Sequence, residues 1–208
     1  MRRNWGRSAI ALAVGLGAVL VVANVTGAAP VPTGPLGSHE AAEPDPGGMS
    51  TLDYVADRTP IYLTPLVENT GPVPVTIVRV TPVGVTVPGS VRIIGSLPFN
   101  RDDPVERGPD GLDTITLGVQ LDPGPGWDSP QPVTGVTVYP KGTALHRGRA
   151  FLVEITPDPA RETSVLRFDV EYAIGPFRFL TTAWGPVGTT VIVCPQDRPT
   201  ARDGCVAS

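Results

Sequence analysis

Two cysteines, Cys194 and Cys205, are the residues of this 208-residue chain best suited to covalent chemistry. A lone pair so close together near the end of an exported chain is most simply a disulfide. It would close a loop of about a dozen residues, worth under 3 kcal/mol in the chain-entropy model. A redox role would favour the tighter C-x-x-C spacing, which is absent. A metal site would need further ligands, and neither His39 nor His146 is close in sequence.

The next chemical candidate is the loop Asn100–Asp113, which reads NRDDPVERGPDGLD. Its carboxylates Asp102, Asp103, Asp110 and Asp113, with Glu106 among them, offer the hard oxygen ligands that Ca²⁺ takes. The spacing is not that of an EF-hand, and Arg101 and Arg107 could instead neutralise a solvated acidic loop. Trp127 sits in a Pro/Gly loop, Asp122–Pro130, either as an exposed binding anchor or as a plug over the end of a β-domain. His146 lies in Leu145-His146-Arg147-Gly148-Arg149, where no nucleophile or orienting acid is nominated for it. No G-x-S-x-G, H-E-x-x-H, P-loop or G-x-G-x-x-G motif is present. The sequence thus nominates no catalytic residue and no cofactor.

Charge narrows the partners. The net charge is −4, and without Arg2, Arg3 and Arg7 the 16 basic residues fall to 13 against 20 acids. An acidic outer part repels phosphate backbones, which argues against a nucleic-acid partner.

The elements that must position these residues begin with an apolar segment. Every residue from Ala9 to Ala23 is Ala, Ile, Leu, Val or Gly, and no charge follows until Glu40. A helix over Ser8–Gly27 would be roughly 30 Å long, enough to cross a hydrocarbon core. The basic head predicts residues 1–7 in the cytoplasm and the C-terminus outside, as a single-pass membrane protein. The alternative is a signal peptide, cleaved near Thr26–Ala29, that releases a secreted chain. Residues 28–50, rich in Pro and Gly, are expected to form a linker, with His39 solvated within it.

From residue 51 to 208, short β-branched runs alternate with turn signals, consistent with the 25 prolines and 24 glycines. Strand-like runs lie at Ile61–Glu68, Val73–Val80, Val85–Val87, Val91–Leu97, Thr114–Leu121, Val133–Tyr139, Arg149–Thr156, Ser164–Ile174, Phe177–Trp184 and Thr189–Cys194. Ser164–Ile174 alternates most clearly. Leu166, Phe168, Val170, Tyr172 and Ile174 should face inward, and Arg167, Asp169 and Glu171 outward. Seven to nine strands without an amphipathic helix imply an all-β fold, an antiparallel β-sandwich. The turn Val67-Glu68-Asn69-Thr70-Gly71 after a first strand resembles the opening of immunoglobulin-like and fibronectin-like ectodomains of bacterial exported proteins. That resemblance implies the sandwich and a cell-surface role, although the Cys–Trp–Cys pattern of true immunoglobulin domains is missing.

The expected function is a non-enzymatic interaction or ligand-binding module, held to the membrane by its N-terminal helix, with a protein or cell-envelope partner. The alternatives are an envelope hydrolase with an unrecognised site and a sensor ectodomain acting through a membrane partner. Seven cytoplasmic residues are too few for an output domain.

Overall fold

A computed structural model describes residues 21–26, 30–31, 34–38, 49–52, 60–99, 130–143, 148–183, 190–198, 200–201 and 204–205. The acidic loop with Asp102, Asp103, Asp110 and Asp113, the Thr114–Leu121 run, Trp127, Trp184, His39 and His146 lie outside the described residues, as do residues 1–20. Of the apolar N-terminal segment only 21–26 are described, with 21–25 helical. Among the described residues no helix is long and apolar enough to cross a membrane.

The fold is all-β. Its strands are β1 (Leu36–Ser38), β2 (Met49–Leu52), β3 (Ile61–Leu63), β4 (Leu66–Asn69), β5 (Val75–Val83), β6 (Val91–Phe99), β7 (Thr137–Val138) and β8 (Gly148–Ile155), followed by β9 (Thr163–Val165), β10 (Arg167–Ile174), β11 (Phe177–Ala183), β12 (Thr190–Val193), β13 (Thr200–Ala201) and β14 (Gly204–Cys205). One antiparallel sheet centres on β8. Strand β6 runs along one edge of it, from Val91↔Ile155 to Phe99↔Gly148. The other edge is shared by β3 and β4, and β1 pairs outside β4. A second antiparallel sheet has the order β11-β10-β5-β7. In a third, β12 lies between β9 and β2, and its pairing with β2 is parallel.

One hydrophobic cluster takes residues from each of these three sheets. Leu36, Leu63, Val67, Phe151 and Val153 come from the β8 sheet, Val75, Ile77, Phe168, Val170 and Tyr172 from the β10 sheet, and Val165, Val191 and Val193 from the third. Strict period-two alternation puts Phe168, Val170 and Tyr172 inside and leaves Asp169 and Glu171 on the opposite face.

Several expectations need correction. Ile61–Glu68 is two strands, because Pro65 supplies no N–H to a ladder. Its carbonyl still accepts from Phe151 N at 2.9 Å, so both pieces stay on one edge of β8. Val85–Val87 is not a strand. It lies in a reversal with Gly84 and Gly89 at φ of 70° and 80°, and Ser90 N donates to Val87 O. Ser164–Ile174 breaks at Leu166, where the chain leaves the β12 sheet for the β10 sheet, so Leu166 is exposed where burial was expected. Of Val133–Tyr139 only Thr137–Val138 is strand.

The stretch expected to be a linker contributes β1 and β2. Leu36 is buried there, and Thr70 N donates to Pro35 O at 2.9 Å. The backbone at Gly34 passes so close to Tyr172 that a Cβ there would collide with the hydroxyl. Composition hides this, because three or four ordered residues inside a Pro/Gly-rich run give no periodic signal.

The β10–β11 hairpin matches the sequence. Its register closes at Ile174↔Phe177 around Gly175-Pro176. Gly175 takes φ of 56° and proline holds φ negative at the second position, the combination that suits a two-residue hairpin of type II′.

Candidate functional site on the outer face of the β10 sheet

The polar face of β10 meets charged residues of both neighbouring strands. Glu171 pairs across the ladder with Arg79 of β5, and Arg79 Nη2 lies 3.0 Å from Glu171 Oε2. The Arg79 side chain is largely solvated, whereas that of Glu171 is only 11% exposed. The register between β5 and β10 shifts here: Arg79 opposes Glu171 and Ile77 opposes Tyr172, which leaves Val78 as the extra residue of a bulge. Bulges re-aim side chains. This one lets Ile77 enter the core while Arg79, two residues later, still reaches the outer face. Thr134 Oγ1 donates to Val78 O at 3.2 Å and steadies the bulged peptide.

On the other side of β10, Arg178 of β11 pairs with Ala173 and so projects on the same face as Glu171. Among the described residues no carboxylate forms an ion pair with Arg178. Above these strands lies the end of the N-terminal helical segment. Asn24 is buried, its Nδ2 donates to Arg178 O at 2.6 Å and its Oδ1 accepts from Arg178 N at 3.0 Å. Thr26 Oγ1 turns back to Val22 O at 2.9 Å and ends the helical turn. Together Thr26, Val78, Arg79, Thr134, Glu171 and Arg178 line an open hollow of about 430 Å³.

The arrangement carries two guanidiniums and one carboxylate, with hydroxyls on two sides. Guanidinium is a planar donor that matches carboxylate or phosphate oxygens. Glu171 engages one side of Arg79, so the hollow can hold an acidic group between Arg178 and the remaining donors of Arg79. Among its lining residues there is no nucleophile–base pair.

A second polar centre is structural. Asn69 is fully buried, with Nδ2 donating to Val73 O at 2.7 Å and Val138 O at 3.0 Å, and Oδ1 accepting from Gly71 N at 2.9 Å. Its backbone carbonyl accepts from Lys141 N at 2.9 Å. The Asn69–Gly71 turn expected from sequence is thus built on an Asx interaction that also ties down β7. Tyr172 is buried against Phe179, with ring centroids 5.5 Å apart, and its hydroxyl accepts from Leu36 N at 3.4 Å. Burial raises its phenol above the ordinary value of 10.0.

Of the residues nominated from sequence, Cys194 and Cys205 are brought together in a disulfide, with Cα atoms 5.4 Å apart. Strands β13 and β14 form the small hairpin that returns Cys205 to the buried Cys194. Asp102, Asp103, Asp110, Asp113 and Trp127 lie outside the described residues. Among the described residues no group of three or more His, Cys, Asp or Glu could hold a metal ion.

Sequence reasoning missed Asn24, Arg79 and Arg178. Asn24 did leave a signal, as the one polar interruption of an otherwise apolar stretch. Arg79 and Arg178 left none, because only the register of β5 and β11 against β10 brings them to Glu171. No protein-family model matches the chain, and no curated protein matches it.

Proposed function

We propose that this chain is a membrane-anchored, extracytoplasmic β-sandwich of immunoglobulin-like type that acts as a non-enzymatic interaction module. Its target is an acidic group on a protein or envelope ligand. The sandwich is supported by the single hydrophobic cluster shared between antiparallel sheets. Export is supported by the Cys194–Cys205 bridge, since disulfides persist in oxidising compartments. Anchoring is supported by the basic head and the uninterrupted apolar run before Asn24.

The observation that carries the binding role is Arg178, which faces the hollow with no carboxylate partner among the described residues, beside the Arg79–Glu171 pair. The test is a comparison of the full-length protein with Arg178→Glu in affinity capture from solubilised envelope. A partner or ligand retained by the wild type and lost by the charge-reversed variant supports the role. Equal retention by both excludes this hollow as the binding site.

A further inference from the structure

The strongly exposed large apolar residues are not scattered. Seven are described: Val21, Val22, Val25, Val31, Val73, Leu166 and Phe177. Five of these seven gather at Arg178. Phe177 precedes it in the chain. Val31 N donates to its carbonyl at 3.0 Å, and Leu180 N donates to Val31 O at 2.8 Å. Val21, Val22 and Val25 belong to the helical segment whose Asn24 holds both backbone groups of Arg178.

The helical geometry separates two sides. At about 100° per residue, Val21, Val22 and Val25 fall within an arc of roughly 100°, and Asn24 lies off it toward the β-domain. So the segment turns its polar residue to the edge of β11 and its valines outward. Val31 bridges Phe179 across that edge, and Phe177 shares the Phe179 face by period two, which extends the apolar surface along the start of β11.

We infer that this surface, made of Val21, Val22, Val25, Val31 and Phe177, rests in the outer interface of the lipid bilayer. The inference rests on the proposed anchoring of residues 8–27. Continuity of the chain commits it to lipid. Ala9–Ala23 contains no polar residue and runs straight into the helical turn that Asn24 fixes to β11. Asn24 stands about 4.5 Å along a helix axis from Val21. No spacer therefore separates the apolar run from the β-domain, and a helix that crosses the bilayer within residues 8–27 brings the β11 edge to the headgroups. An aromatic such as Phe177 suits that depth. The Pro/Gly-rich stretch then does not hold the domain away from the membrane.

The test is site-specific photocrosslinking of the full-length protein in phosphatidylethanolamine–phosphatidylglycerol vesicles, with p-benzoylphenylalanine in place of Phe177, of Val31 or, as an exposed control at the opposite end of the β10 sheet, of Leu166. Retention after an alkaline carbonate wash reads the anchor independently. The expected result is carbonate-resistant protein with lipid adducts several-fold more abundant at positions 177 and 31 than at 166. Resistant protein without that excess overturns the inference and leaves the anchor standing. Adducts at 177 to a second copy of the chain in place of lipid also overturn it. Release by carbonate overturns both. Phe177→Trp gives a second readout that keeps the side chain apolar. Brominated lipids should quench its fluorescence beyond the wild-type level, and an unchanged level counts against the bilayer contact.

Discussion

The side-chain amide of Asn24 pairs with the peptide of Arg178 as a neighbouring strand would, with Nδ2 on the carbonyl at 2.6 Å and Oδ1 on the N–H at 3.0 Å. An edge strand presents unpaired backbone groups that invite association. Here one side chain covers a pair of them and couples the end of the apolar segment to the β-domain. Asn24→Ala leaves both Arg178 groups without this partner. Opening of the β11 edge should become easier by about 1–3 kcal/mol. Hydrogen exchange at the Arg178 amide checks it: protection should fall there, while Val170 in the core of β10 stays protected. Unchanged exchange at Arg178 would mean that the pairing does not persist in solution.

Asn69 carries more of the global fold. Asn69→Ala removes the donor to Val73 O and Val138 O and the acceptor for Gly71 N, all in a fully buried site. Loss of that many buried bonds should cost about 2–4 kcal/mol. Urea unfolding followed by circular dichroism should show a lower midpoint with little change in slope. A midpoint within experimental scatter of the wild type would refute the buried role.

Tyr172 predicts an alkaline limit. Its folded-state phenol is raised above 10.0 because burial disfavours the charged form. The folded chain therefore holds this proton more tightly than the unfolded chain. The resulting stabilisation is complete below about 10 and is lost as pH rises from there through the raised value. Melting temperature measured from neutral to strongly alkaline pH should decline more steeply for the wild type than for Tyr172→Phe. At neutral pH the variant loses the bond from Leu36 N, worth about 1 kcal/mol.

The disulfide closes a short loop, with a sequence separation of 11. The double variant Cys194→Ser, Cys205→Ser should lose about 2–3 kcal/mol, since a loop this short restricts the unfolded chain only modestly. Denaturant unfolding with and without reductant checks it. Reductant should lower the wild-type midpoint toward that of the variant and leave the variant unchanged.

The sequence alone determined the all-β class, the β8 strand, the β10–β11 hairpin with its Gly175-Pro176 turn, the Asn69–Gly71 turn and the disulfide. These rest on local rules: side chains alternate with period two, Gly and Pro restrict φ, and a lone pair of nearby cysteines has few other uses. Tertiary structure decided what depends on register. Whether Ser164–Ile174 is one strand or two depends on which sheet each half joins, and the break at Leu166 has no signature among its β-branched and charged neighbours. Arg79 reaches Glu171 only because Val78 bulges out of the ladder, and Arg178 joins them only through the pairing of β11. Leu36 is buried inside a stretch whose composition suggests a linker, because β4 offers it an edge. Such contacts join residues as many as 154 positions apart, as Asn24 and Arg178 are, and local sequence carries no record of that proximity.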